Sequence, residues 1–127
     1  MIEGIHHIAI ICSDYQRSKD FYTRILGFSV IAEHYRSARD SFKLDLWVDD
    51  HTQIELFSFP SPAPRSSFPE ACGLRHLAFR VNDIAAVIRH LEAQGVPCEP
   101  LRTDEYTGKA FTFFADPDGL PIELYNT

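Results

Sequence analysis

The chain is short of the residues that staple small secreted proteins. Its three cysteines, Cys12, Cys72 and Cys98, are odd in number and form no Cys-x-x-Cys pair. That spacing excludes a disulfide framework and a zinc ribbon, and points to reduced thiols in a cytoplasmic protein. Positive charge is scarce as well. Twelve Lys and Arg stand against 18 Asp and Glu, for a net charge of −6 with no basic block. Nucleic acid and anionic membrane surfaces are therefore poor partners. No apolar run approaches the roughly 20 residues needed to cross a bilayer. The start, Met1-Ile2-Glu3-Gly4, lacks the basic residues of a signal peptide, so none is expected. What is present is ordinary for a folded domain: 127 residues, 45% hydrophobic and 13% aromatic, enough to bury a core without staples.

The strongest pattern is an internal repeat. Ile5-His6-His7-Ile8-Ala9-Ile10 near the start is echoed by Leu74-Arg75-His76-Leu77-Ala78-Phe79, and Ile54-Glu55-Leu56 by Ile122-Glu123-Leu124. The interval from His7 to His76 matches that from Glu55 to Glu123 to within one residue. The repeat is too long, and occurs too few times, for a solenoid, so it predicts a two-module domain with paired four-stranded sheets.

Each module reads in the same order. Residues 4–12 alternate as a strand does, placing His7, Ala9 and Ile11 on one face and His6, Ile8 and Ile10 on the other. Asp14 is an N-cap candidate, Ser18, Phe21, Tyr22, Ile25 and Leu26 recur at helical spacing, and Gly27 ends the helix. Strands are expected over 28–35, 43–48 and 53–59, with a charged loop carrying Arg36 and Arg39 and a turn at 49–52. The second module opens with a strand over 73–81. Asp83 caps a helix whose apolar residues are Ile84, Val87, Ile88 and Leu91, and Gly95 stops it. Strands over 96–101, 109–115 and 121–125 follow, the last two joined by the turn Asp116-Pro117-Asp118-Gly119. The proline-rich stretch 60–72 cannot continue a sheet interior and reads as a connector, giving modules of about 4–59 and 73–127 within one domain.

A lone histidine on a strand is more often a hydrogen-bonded or surface residue than a ligand, and a glutamate between apolar neighbours usually marks a solvated sheet face. Duplication alters that balance, because solvated faces have no reason to recur as His, Glu, His, Glu at matching points. His7, Glu55, His76 and Glu123 are therefore the expected ligands of one divalent metal ion. Two neutral imidazoles and two carboxylates balance a 2+ charge, and the absence of thiolates disfavours Cu(I) and iron–sulfur clusters. Nickel, cobalt, zinc, manganese and iron(II) all suit the set. His34, His51 and His90 are expected to be surface or structural residues, as is His6, which replaces His7 in the ligand set if the strand parity is reversed.

With these residues in place the chain resembles the vicinal oxygen chelate superfamily, and within it bacterial glyoxalase I. The resemblance spans nearly the whole chain: His7-Ile8-Ala9-Ile10, Asp14 with Ser18-Lys19-Asp20-Phe21-Tyr22-Thr23 and Leu26-Gly27-Phe28, Ile54-Glu55-Leu56, Leu74-Arg75-His76-Leu77-Ala78, and Asp116-Pro117-Asp118-Gly119 with Ile122-Glu123-Leu124. It implies an α+β fold of two tandem βαβββ modules forming a cupped mixed sheet, and metal ligands at His7, Glu55, His76 and Glu123. It further implies a glyoxalase I-like lyase or isomerase acting on a small substrate, such as a thiol adduct, bound through vicinal oxygens. Glu123 would then be the catalytic base with Glu55 opposite, and the protein a homodimer, as family members commonly are. Other chemistries of the family are an epimerase, a thiol transferase, a dioxygenase and a metal-free small-molecule binder. Matches for glutathione-binding residues are absent. Arg36, Arg39 and Lys109 are available cations, while Phe57 and Tyr125 share the face of the two glutamates.

Overall fold

The computed structural model describes residues 1–127, which divide into two compact units, Met1–Pro64 and Arg65–Thr127. Each unit holds a four-stranded mixed sheet with few helices, the expected pair of βαβββ modules.

In the first unit, β1 (His7–Cys12) leads to α1 (Tyr15–Asp20). The Asp14 carboxylate accepts from the Arg17 amide at 3.1 Å, so the N-cap forms as the sequence predicts. The helix then widens into a π-type turn over Phe21–Ile25, which the regular apolar spacing does not reveal. Thr23 Oγ1 donates to the Lys19 carbonyl at 2.6 Å, a local bond that competes with regular helical pairing. Adjacent Phe21 and Tyr22 are both buried there, edge to face at 5.1 Å. Gly27, at φ 83°, closes the segment, and the Phe28 amide returns to the Tyr22 carbonyl at 3.1 Å.

Strands β2 (Ser29–Arg36), β3 (Ser41–Trp47) and β4 (Gln53–Ser58) follow. The sheet order is β1-β4-β3-β2, with β1 parallel to β4 and the other pairs antiparallel. A short 3₁₀ turn over Ser37–Arg39 joins β2 to β3. At the 49–52 turn the Asp49 carboxylate accepts from the amides of His51 and Thr52. Ile10, Cys12, Leu44, Leu46, Ile54 and Leu56 bury one face of the sheet, and α1 packs on β4.

The second unit repeats the plan with β5 (Leu77–Val81), α2 (Ile84–Ala93), β6 (Arg102–Thr103), β7 (Ala110–Ala115) and β8 (Pro121–Asn126). Its order is β5-β8-β7-β6, with β5 parallel to β8. Asp83 caps α2 by accepting from the Ala86 amide at 3.0 Å. Ile84, Leu91, Phe114, Leu120, Ile122 and Leu124 form the core.

Two expected strands are corrected. Residues 73–76 do not pair, because the Arg65 guanidinium takes the carbonyls of Leu74 (2.9 Å) and Arg75 (3.1 Å) that a ladder would use. His76 thus stands immediately before β5, not within it. Residues 96–101 form no strand either. Pro97 and Pro100 have no amide hydrogen to donate, and the stretch is hydrogen-bonded to β7 through the Glu99 amide on the Phe113 carbonyl (2.9 Å) and Thr112 Oγ1 on the Glu99 carbonyl (2.7 Å). Pairing resumes at Arg102 and Thr103.

Candidate functional site

Register decides which side chains meet. In the first unit Ala9 lies opposite Glu55 across the parallel pair, while Asp45 lies opposite Glu55 and Lys43 opposite Phe57 across the antiparallel one. Directly opposed residues, and residues two apart along a strand, share a face. One face therefore carries His7, Ala9, Glu55, Phe57, Lys43 and Asp45, and the other faces α1. Ala9 adds little bulk beside Glu55, so the imidazole can reach the carboxylate. His7 Nδ1 lies 3.4 Å from Glu55 Oε2, with the side chains 43% and 14% exposed.

The second unit reproduces this arrangement. Ala78 lies opposite Glu123 across β5 and β8, and His76 Nε2 lies 2.9 Å from Glu123 Oε2, the side chains 30% and 14% exposed. Two of the four residues singled out in the sequence thus meet in each unit, at corresponding register. No group of three or more His, Cys, Asp or Glu side chains able to hold a metal is drawn together.

The surroundings of the two pairs differ. Lys43 Nζ bonds Asp45 Oδ1 at 2.6 Å and stands 3.7 Å from Glu55 Oε1. In the second unit Phe113 occupies the position opposite Glu123, and the His76 and Phe113 rings are nearly perpendicular, their centroids 5.0 Å apart. Glu55 has an ammonium and a second carboxylate beside it; Glu123 has an aromatic ring. Lys43 and Asp45 escaped the sequence reading. The signal was the alternation Lys43-Leu44-Asp45-Leu46, whose polar members share a face.

His6 departs from its expected place. It precedes β1, so strand parity does not bind it, and its Nδ1 lies 2.9 Å from Nδ1 of His7. His34, His51 and His90 are exposed. Phe57 stacks with Phe59, the ring centroids 6.1 Å apart, and the Arg36 guanidinium sits over both. The Tyr125 hydroxyl donates to Asp104 Oδ2 at 2.9 Å and also meets Thr107 Oγ1. The Tyr106 amide, followed by the Tyr125 hydroxyl, holds the Asp104 carboxyl below its ordinary range. Lys109 is exposed just before β7.

The family model of the glyoxalase/bleomycin resistance protein/dioxygenase superfamily matches residues 4–124. The chain belongs to that superfamily. This superfamily member is 60% identical over 124 residues to the uncharacterized protein YaeR of Escherichia coli (strain K12), covering 98% of this chain and 96% of YaeR. A solved glyoxalase family protein from Enterococcus faecalis superposes with a TM-score of 0.91 at 49% identity, covering 98% of each chain. More distant superfamily relatives include Glyoxylase I 4 of Arabidopsis thaliana, 26% identical over 98% of this chain and 71% of its own length. Glutathione transferase FosA of Serratia marcescens is 29% identical over 98% of this chain and 82% of its own length.

Proposed function

We propose that His7, Glu55, His76 and Glu123 together hold one divalent metal ion, and that the protein is a metal-dependent lyase or isomerase of the glyoxalase I type. The observation that carries this reading is the recurrence of one His–Glu contact at equivalent register in both units. The donor set fits such an ion. Its two carboxylates are largely withdrawn from water among apolar strand neighbours, a costly placement unless charge compensates it. Two imidazoles complete a neutral set with a 2+ ion, drawn from nickel, cobalt, zinc, manganese and iron. When bound, such an ion supplies Lewis-acid polarisation of adjacent substrate oxygens.

The chain's own residues do the rest. Glu123 accepts the proton from a substrate carbon, since no ammonium competes for its carboxylate, and His76 at 2.9 Å orients it. Glu55 stands as the opposing carboxylate, steadied by Lys43 and His7. The substrate is a small molecule with vicinal oxygens, a thiol hemithioacetal being the first candidate. Homodimerisation and a cytoplasmic setting belong to the same proposal. Exposed Ile11 and Trp47 support the first, and three thiols without a disulfide support the second. No helix is long and apolar enough to cross a membrane.

A second reading, thiol transfer, draws support from the FosA relative named as a glutathione transferase. The test is a panel of methylglyoxal with several thiols, set beside the same thiols with an electrophilic epoxide, using metal-loaded protein. Isomerisation of a hemithioacetal that Glu123→Gln abolishes supports the lyase; consumption of thiol only with the epoxide supports the transferase; inertness in both overturns the enzymatic reading.

A further inference from the structure

Beyond Glu55 on the same face of the first sheet lies a cationic, aromatic surface that the proposed chemistry leaves unused. The Phe57 and Phe59 rings are nearly parallel, 8° apart with centroids at 6.1 Å. The Arg36 guanidinium lies 5.1 Å from the Phe57 centroid and 6.0 Å from that of Phe59, and the Arg39 guanidinium 5.1 Å from Phe59. Cation–π attraction to the rings holds each guanidinium in place while leaving its N–H donors free to bond.

Those donors are barely used. Arg36 donates only to Ser41 Oγ, at 3.1 Å, and its Nε–H is shielded from water without a partner. Neither arginine pairs with a carboxylate, although acidic residues outnumber basic ones 18 to 12. Lys43, by contrast, is committed to Asp45 and Glu55. An unpaired shielded donor is costly unless something accepts from it. Planar guanidinium donors match the paired oxygens of carboxylates and phosphates.

We propose that Arg36 and Arg39, held on Phe57 and Phe59, form a subsite for the oxyanion group of the ligand, so that the substrate is a small anion whose reacting end reaches Glu55. Phe57 is two residues from Glu55 on one strand face, which sets the anionic group on the order of 7 Å from the carboxylate along the strand. This rests on the proposed site for its location, and the oxyanion can be a carboxylate or a phosphate.

The test titrates full-length, ¹⁵N-labelled protein with acetate and, separately, with inorganic phosphate, following the arginine Nε–H resonances. The expected result is a saturable shift of the Arg36 and Arg39 signals with at least one anion, and the one that binds more tightly identifies the class. Arg36→Met and Arg39→Met each weaken binding by about fivefold or more. Arg36→Lys, which keeps the charge but loses the planar fork, weakens it too. Arg17→Met, on α1, changes nothing. Saturable binding that survives Arg36→Met and Arg39→Met, or no saturable shift with either anion, overturns the subsite. The metal reading fails separately: Glu55→Gln that retains its metal sinks that reading while leaving the anion titration untouched.

Discussion

Asp45 stands directly opposite Glu55 across β3 and β4, and Lys43 reaches both carboxylates, at 2.6 Å and 3.7 Å. Like charges opposed on adjacent strands repel, and here one ammonium offsets the repulsion. In the second unit Phe113 takes the place of Asp45, and the corresponding problem does not arise. The two pairs are alike in their ligand-type residues and unlike in what surrounds them.

Removing that ammonium should expose the repulsion. Lys43→Met is expected to lower metal-free stability by about 1–2 kcal/mol, and Lys43→Met with Asp45→Asn to recover most of the loss. Urea denaturation of the two variants checks this. Equal stability of Lys43→Met and wild type would show that the lysine does not steady the face.

The helix starts offer a second measurement. Asp14 and Asp83 each accept a backbone amide at the first turn of their helices. Asp14→Ala and Asp83→Ala should each cost about 1 kcal/mol, and the costs should add, since the caps serve different helices in different units. Denaturation midpoints of the single and double variants provide the comparison.

Acid stability follows from Glu33. Lys19 first, then the Tyr15 hydroxyl, hold its carboxyl below the usual value of 4.5. A carboxyl depressed in the folded state stabilises fully above its unfolded value, and that contribution is lost as pH falls through the folded value. The gap in stability between wild type and Glu33→Gln should therefore be present at about pH 7 and shrink towards about pH 3. With its side chain 36% exposed, Glu33 is screened by water, which keeps the effect small. A gap that widens on acidification would contradict the sign.

Much of this architecture was legible in the sequence because it rests on local chemistry. Asp14, Gly27 and Asp83 mark helix ends through capping and backbone freedom, and the alternation around His7 and Glu55 fixed their faces. What escaped depends on partners distant in sequence. Arg65 takes the carbonyls that would have extended β5 back to Gly73, and no local pattern announces that. Residues 96–101 have strand-like composition, yet their prolines remove donors the ladder needs. Lys43 and Asp45 were readable in principle by the parity that located Glu55, but only once β3 was known to pair with β4 in that register. His6 lay outside the reach of parity because the strand begins one residue later.

The most direct test of the central claim is metal content per chain, measured by elemental analysis on wild type and on His7→Ala, Glu55→Gln, His76→Ala and Glu123→Gln, with circular dichroism confirming that each remains folded. One divalent ion per chain is expected in the wild type, with a large loss of that ion in each variant. A folded His76→Ala that keeps its full complement of metal would contradict it.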